Sequence, residues 1–245
     1  MIDLHCHLLP GIDDGAPDGA TALALARIAV DDGITHAVCT PHIHPGRYDN
    51  TPSEIEQALA GLRRALAEAG IPLQVAAAAE VRIGPELLAA DLVGRVALLG
   101  PWEARRGLLL ELPHEGVPLG SEKLTRHLLE RGIQPVLAHP ERNKGLMRQP
   151  SRLRPFLQQG CLLQVTAGSL CGRFGERARA LAEELLDAGH IAVLATDAHN
   201  LRHRPPRLRE GFEAAAARVG ERAAERLVFE HPRRLSTGLF EPGVA

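Results

Sequence analysis

The feature that most constrains the fold of this chain is a regular alternation of short apolar runs with longer amphipathic segments. Short continuous apolar runs are typical of strands that are buried on both faces, as in a parallel sheet. The segments between them have helical spacing, and several end at a glycine, where helices commonly stop. The alternation therefore predicts an α/β fold built from strand–helix units.

Seven strands are predicted, at Ile2–His7, His36–His42, Leu73–Arg82, Gly107–Pro113, Gln134–His139, Leu162–Ala167 and Ile191–Asp197. The helical patterns span Gly19–Asp32, Pro52–Ala69, Ser121–Arg131, Pro150–Gln159, Gly175–Ala188 and Pro206–Arg226. Ser53 with Glu56 fits a capping box at the start of the second helix. No linker rich in proline or serine interrupts the series, so we expect residues 1–245 to form a single domain.

This length and this pattern fit one closed or nearly closed β/α barrel. A doubly wound open sheet is the alternative architecture. No G-x-G-x-x-G motif follows the first strand, which weakens the version of that fold that binds dinucleotides.

Composition excludes several classes of function. The 28 basic and 30 acidic residues leave a net charge of −2, and aromatic residues make up only 3%, which disfavours a nucleic-acid binder. The sequence has no apolar run long enough for a membrane span. The amino terminus lacks the pattern of a signal peptide, so we expect a cytoplasmic protein whose four cysteines are free thiols.

Polar side chains collect at the carboxyl ends of the predicted strands or in the loops that follow them. These candidates are His5, His7, Asp14, His42, Glu80, Glu111, His139, Asp197 and His199. The carboxyl ends of parallel strands converge on one face of a barrel, so we expect these side chains to meet there. His5 and His7 are two residues apart on one strand and point to the same side.

Any one of these residues has an ordinary structural explanation, but the set predicts a metal site. Burying several carboxylates without compensating cations is costly. Four carboxylates and five neutral imidazoles suit about three divalent ions once waters and a bridging carboxylate are included. Such ions would leave a net charge of about +2 at the site, which a phosphate monoester dianion would balance.

A second motif points to different chemistry. Cys171 and Arg177 match C-x5-R, the phosphate loop of thiol-dependent tyrosine phosphatases. Arginine is so frequent in this chain that the spacing carries little information, and Glu176 inside the loop is unfavourable in an anion cradle. We therefore expect no cysteine-based mechanism.

The order of the motifs resembles the polymerase-and-histidinol-phosphatase (PHP) superfamily, and within it the bacterial metal-dependent protein-tyrosine phosphatases of capsule and exopolysaccharide loci. The resemblance is carried by Asp3-Leu4-His5-Cys6-His7, Gly11-Ile12-Asp13-Asp14-Gly15, Thr40-Pro41-His42, Ala79-Glu80-Val81, Leu110-Glu111-Leu112, Ala138-His139-Pro140-Glu141-Arg142, Phe174-Gly175-Glu176-Arg177, Ala195-Thr196-Asp197-Ala198-His199-Asn200 and Arg204-Pro205-Pro206. It covers essentially the whole chain.

The resemblance implies a distorted seven-stranded TIM-like barrel with three divalent metal ions, usually manganese, with iron or zinc as alternatives. It assigns His5, His7, Glu80 and Asp197 to one ion. Glu80 would bridge to a second ion held with Glu111 and His139, and Asp14, His42 and His199 would hold the third. Arg142 and Arg204 would grip the phosphoryl group and act in catalysis together with Asp14. His44 would line the substrate site.

The implied activity is hydrolysis of protein phosphotyrosine by a metal-activated hydroxide. The family points to the tail of a bacterial polysaccharide-biosynthesis tyrosine kinase as substrate. The alternatives are a small-molecule phosphatase such as histidinol-phosphate phosphatase, a DNA-processing phosphoesterase, which charge and aromatic content disfavour, and a metal-stabilised regulatory domain without activity. A structural ion pair with a site carboxylate is the alternative role for Arg142 and Arg204.

Overall fold

Strands alternate with helices along the chain, as the sequence pattern predicts. The computed structural model describes residues 1–89 and 91–240. The strands are β1 (Ile2–Cys6), β2 (His36–Cys39), β3 (His42–His44), β4 (Tyr48–Asp49), β5 (Gln74–Ala77), β6 (Glu80–Arg82), β7 (Pro101–Trp102), β8 (Arg105–Glu111), β9 (Ile133–Ala138), β10 (Leu162–Thr166) and β11 (Ile191–Ala195).

The α-helices lie between and after these strands. They are α1 (Gly19–Asp31), α2 (Pro52–Glu68), α3 (Leu92–Arg95), α4 (Ser121–Glu130), α5 (Lys144–Arg148), α6 (Arg154–Gln158), α7 (Ala167–Leu170), α8 (Glu176–Asp187), α9 (Arg209–Val219), α10 (Glu221–Glu225) and α11 (His231–Leu235). Short 3₁₀ turns span Pro85–Leu88, Pro140–Arg142 and Pro150–Leu153, and a π-helical turn spans Arg226–Glu230. In the part of the chain that the structure describes, no helix combines the length and apolarity needed to cross a lipid bilayer.

All seven predicted strands are present, but two of them are broken. The predicted strand at His36–His42 divides into β2 and β3 around Thr40-Pro41, because a proline lacks the N–H that a ladder requires. The strand predicted at Leu73–Arg82 likewise divides into β5 and β6.

The predicted capping box of the second helix was wrong by two residues. Thr51, in extended conformation, caps α2 by accepting a hydrogen bond from the backbone of Glu54, whose side chain accepts one from the Thr51 backbone in return. Pro52 occupies the first helical turn, where its missing N–H costs nothing. The proline therefore fixes the start of the helix one residue before the predicted cap.

The strand ladders form two open sheets, whereas the sequence predicted one barrel. A three-stranded parallel sheet has the order β1-β2-β5. The larger sheet has the order β11-β10-β9-β8-β6-β3-β4, and β7 pairs with β8. In the larger sheet, β4 is antiparallel to β3 and β7 is antiparallel to β8. The other neighbouring strands of this sheet are parallel. The breaks in the second and third predicted strands divide the ladders between the two sheets.

Individual backbone hydrogen bonds nevertheless cross from one sheet to the other. Asp197 N–H donates to the His5 carbonyl and His7 N–H donates to the Ala198 carbonyl, each at 2.8 Å, which joins the end of β1 to the segment after β11. Within the larger sheet, Glu80 N–H donates at 3.1 Å to the carbonyl of Pro41, which lies between β2 and β3. Candidate ligands thus lie on the segments that connect the two sheets.

The core consists mainly of aliphatic side chains, as the low aromatic content predicts. A smaller buried cluster draws Leu4 and Val38 from one sheet and Leu109, Val136 and Val193 from the other. Ala78, Leu109 and Ala195 of this cluster each precede a candidate ligand by two residues, and Leu109 shares a face of β8 with Glu111. The cluster therefore adjoins the candidate ligands along the chain.

Candidate metal centre

Most of the candidate ligands lie where the sequence predicted them, at the carboxyl ends of the parallel strands. His5 lies in β1 and His7 directly follows it, while His42 and Glu80 begin β3 and β6. Glu111 ends β8, and His139 directly follows β9. Asp14 lies in the loop after β1, and Asp197 and His199 lie in the loop after β11.

Glu80 is the centre of this arrangement and is fully buried. Its Oε2 lies 3.2 Å from His5 Nε2, 3.4 Å from His7 Nε2 and 3.1 Å from His42 Nδ1. Its other oxygen, Oε1, lies 2.8 Å from His139 Nε2. One carboxylate oxygen therefore faces three imidazoles and the other faces a fourth, so the two oxygens of Glu80 could contact different cations.

Burial raises the pKa of Glu80, but the charges of His5 and His139 outweigh burial and hold that pKa well below its ordinary value. A carboxylate that stays ionised in a buried position requires positive charge close by. Divalent ions meet that requirement at neutral pH, where a histidine must be neutral to act as a ligand.

Two histidines of the cluster are suited to be neutral ligands. Burial and the charge of Arg142 lower the pKa of His139 to about 4. Burial and the charge of His7 lower the pKa of His199 to about 4. Both rings are therefore neutral at pH 7 and have nitrogen lone pairs available for a cation.

Asp197 faces the same two histidines, His5 and His7, and is also fully buried. Its Oδ2 accepts hydrogen bonds from Arg142 and Arg204. Its Oδ1 is shielded from solvent and accepts no hydrogen bond among the described residues, although His5 Nε2 lies 3.2 Å away. A buried carboxylate oxygen without a donor is costly, and a metal ion would satisfy it.

Three groups of side chains place their ligand atoms within 4.8 Å of one another. The members are His5, His7, Glu80 and Asp197 in one group, His7, Asp14, His42 and His199 in another, and His42, Glu80 and Glu111 in the third. The first group matches the set that the family resemblance assigned to one ion. The second adds His7 to the expected set, and the third has His42 where His139 was expected.

Glu111, like Asp197, has an arginine partner, but a different one. Arg82 Nη1 lies 3.0 Å from Glu111 Oε2 and also donates to the Leu112 carbonyl. Burial and the charge of Glu80 raise the pKa of Glu111 to about 7. The sequence analysis did not select Arg82, although its position two residues after Glu80 on one strand would have indicated it.

Two further residues that the sequence analysis did not select orient the histidines. His7 Nδ1 lies 2.7 Å from Asp13 Oδ2, and His5 Nδ1 lies 2.8 Å from Gln164 Oε1. Such partners fix the ring orientation and tautomer of a metal-binding histidine. Gln164 was detectable as a polar residue in an otherwise apolar strand, and Asp13 as the neighbour of Asp14.

The backbone is strained at two of the candidate ligands. His139 has a φ of 34° and Asp197 a φ of 51°, in the left-handed region that residues other than glycine rarely adopt. This conformation costs roughly 1–3 kcal/mol and is concentrated at functional sites. The strain turns both side chains into the cluster directly after their strands end.

A cavity of about 170 Å³ opens onto the cluster. Its lining includes His44, as predicted, and also Arg82, His114, Arg142 and Arg204. Arg47 and Tyr48, which the sequence analysis did not select, line it as well, and the Tyr48 ring stacks on His42 with centroids 5.6 Å apart. Four arginines beside a cluster of metal ligands suit a phosphate group.

The cysteine alternative finds no support in the geometry. Cys171 does not line the cavity, and burial together with the charge of Glu210 raises the pKa of its thiol. A catalytic cysteine requires a lowered pKa. Arg177 lies on the exposed side of α8, outside the cavity.

The fold and the cluster define an α/β protein with groups of candidate metal ligands beside an arginine-lined cavity. Residues 1–237 match the family model for capsular polysaccharide synthesis, CpsB/CapC, and the chain belongs to this family.

The chain is 40% identical over 204 residues to the tyrosine-protein phosphatase YwqE of Bacillus subtilis, covering 83% of this chain and 79% of that protein. It is 26% identical to the tyrosine-protein phosphatase CpsB of Streptococcus pneumoniae, covering 96% of this chain and 98% of that protein. A crystal structure from work on YwqE and CpsB, described as unique metal-dependent tyrosine phosphatases, superposes with a TM-score of 0.88 at 36% identity. That superposition covers 99% of this chain and 98% of the matched chain.

Proposed function

We propose that this protein is a metal-dependent protein-tyrosine phosphatase. The observation that carries the proposal is the bridging position of Glu80 between two sets of imidazoles, next to Arg142 and Arg204. The membership of the chain in the CpsB/CapC family and the activity named for its relatives support the same function.

The nine candidate residues would hold three divalent ions, with manganese as the expected metal and iron or zinc as alternatives. These are His5, His7, Asp14, His42, Glu80, Glu111, His139, Asp197 and His199. The unsatisfied Oδ1 of Asp197 and the neutral rings of His139 and His199 support the assignment. Bound ions would supply Lewis-acid activation of water and positive charge for the phosphate.

Arg142 and Arg204 would bind the phosphoryl oxygens. Their guanidiniums now share Asp197 Oδ2, which is the structural ion pair that the sequence analysis kept as an alternative. A guanidinium has five N–H donors, so each arginine retains donors for a phosphate while it contacts Asp197. His44 would contact the same substrate from the opposite wall of the cavity.

Asp14 would orient the attacking water. Its side chain is 43% exposed, and its Oδ1 lies 3.3 Å from His42 Nε2 and 3.5 Å from His199 Nε2. The hydrogen bonds from His199 and His42 hold the pKa of Asp14 below its usual range, so the carboxylate is ionised and accepts a hydrogen bond. The tyrosine leaving group has a pKa of about 10, so it departs with little help from an acid.

We also propose that the chain is one domain in which the two sheets are parts of a single distorted seven-stranded barrel. The hydrogen bonds at Asp197 and His7 that link the sheets support closure. The buried cluster shared by both sheets supports it too, because it occupies the position of a barrel interior.

The substrate in this proposal is a phosphotyrosine protein, and a bacterial tyrosine kinase of polysaccharide synthesis is the expected one. The test is turnover of a phosphotyrosine peptide and of histidinol phosphate after chelation, with manganese, iron, zinc, cobalt or magnesium restored singly. We expect the peptide to be the better substrate and activity to return with metal. No turnover with any metal would refute the proposal, and a clear preference for histidinol phosphate would replace it with the small-molecule alternative.

A further inference from the structure

A second cavity lies on the same side of the fold as the metal centre. It has a volume of about 470 Å³ and is lined largely by apolar side chains, among them Ile83, Pro85, Leu88, Pro118, Leu119 and Leu124. We call it the apolar groove. Its walls come from the loop after β6 and the segment between β8 and α4, and both follow strands that carry candidate ligands.

The apolar groove is built on the same strands as the metal centre, although, among the described residues, the two cavities have no lining residue in common. Ile83, in the groove, directly follows Arg82, which lines the metal-site cavity, and Ile83 N–H donates to the carbonyl of Glu111 at 2.9 Å. The segment after β8 places His114 in the metal-site cavity and Leu119 in the groove. The two cavities therefore share their supporting strands and one connecting loop.

The apolar groove exposes two large aliphatic side chains to solvent, which is energetically unfavourable. Leu119 is fully exposed and Leu88 is 54% exposed, and the two lie on the two loops that form the walls. An exposed apolar patch beside a polar site is typical of a surface that binds a protein segment. The metal-site cavity, at about 170 Å³, has room for a phosphoryl group and part of a side chain but not for neighbouring residues.

We propose that the apolar groove binds the polypeptide next to the phosphotyrosine of the substrate, through at least one large aliphatic side chain of that polypeptide. This inference rests on the proposed phosphatase function, because it assigns the surface that the rest of a protein substrate must meet. The groove would select among phosphotyrosine sites by the aliphatic residues around them, while the metal centre recognises the phosphate.

The test compares two synthetic phosphotyrosine peptides, one with leucines at alternate positions on both sides of the phosphotyrosine and one with serines there. The variants are Leu119→Ser and the double variant Leu88→Ser with Leu119→Ser. Because both leucines are exposed, these substitutions remove few packing contacts. The control is Phe229→Ser, which changes a 41% exposed apolar residue outside the groove.

We expect the wild type to show a kcat/KM about tenfold higher for the leucine peptide than for the serine peptide, a ratio typical of burying one aliphatic side chain. The double variant should lose this preference through KM, and Phe229→Ser should keep it. Equal kcat/KM values for both peptides with the wild type, or a preference that survives in the double variant, would overturn the inference.

If the groove instead binds a second copy of this chain, the oligomeric state and the peptide preference would respond differently to the substitutions. In sedimentation experiments the wild type would be a dimer and the double variant a monomer, with the peptide preference unchanged, and that result would also overturn the inference. If the wild type cleaves neither peptide with any metal, the proposed function itself fails, and this outcome is distinct from loss of selectivity.

Discussion

Glu80 and Asp197 are two fully buried carboxylates that both face His5 and His7, yet only Asp197 also has arginine partners. Glu80 is surrounded by imidazoles, with four histidine nitrogens within 3.4 Å. Asp197 shares its Oδ2 with two guanidiniums, and its Oδ1 faces the cluster. Imidazoles can give up their protons and bind metal, whereas guanidiniums stay charged and bind anions. In the proposed function, Glu80 would therefore contact cations only, whereas the arginines beside Asp197 would also contact the substrate phosphate.

The largest effect is expected from removing the Glu80 carboxylate, which tests whether Glu80 and Asp197 have different roles. Glu80→Gln should lower kcat/KM by about three orders of magnitude or more, because the bridging charge that holds two ions is lost. Elemental analysis should show less bound metal per chain. Glu184→Gln, on the exposed face of α8, is the matched control and should retain both metal and activity. Full metal content together with full activity in Glu80→Gln would contradict the bridging role.

Arg142→Lys and Arg204→Lys probe the other side of the cluster. Each should lower kcat/KM by about 100-fold, because a lysine keeps the charge but cannot form the forked contact to a phosphate. Metal content should remain close to that of the wild type, in contrast to Glu80→Gln. Activity that falls only in proportion to lost metal would show that the two arginines act solely on Asp197.

Asp13→Asn tests whether Asp13 acts only by orienting His7, a candidate metal ligand. The amide lacks the charge that fixes His7 through its Nδ1, so metal affinity should fall by roughly 10–100-fold, as is typical when such a partner is lost. Activity measured against metal concentration should recover at saturation. A loss that excess metal does not restore would assign Asp13 a direct part in the reaction.

The smallest expected effect is at Cys171. Its raised thiol pKa and its position outside the cavity predict that Cys171→Ser changes kcat/KM by no more than about twofold. The measurement is phosphatase activity at equal metal content. Loss of activity with full metal occupancy would revive the cysteine mechanism that the C-x5-R spacing first indicated.

Much of the framework could be predicted from the sequence because it depends on local patterns. Apolar runs located the strands, and seven of the nine candidate ligands lie near the carboxyl end of a strand or in the loop after it, as predicted. His42 and Glu80 instead begin β3 and β6, because the predicted second and third strands are broken just before them. The strand breaks around Pro41 and Ala78 were not predicted, because an apolar run does not show where the hydrogen bonding between strands is interrupted. The division of the strands into two sheets follows from those breaks.

The partners within the site were decided by tertiary structure. Arg82 contacts Glu111, and Gln164 contacts His5. Arg142 and Arg204 both contact Asp197. Most of these pairs join residues that are distant in the chain.

The sequence by itself determined which residues could bind metal, because the residue type and the strand end are local properties. Only the tertiary structure decided which candidate ligands lie together and which arginines share a carboxylate, because these contacts depend on how the strands converge. The apolar groove has the same origin: Leu88 and Leu119 form one surface only because β6 and β8 are neighbours.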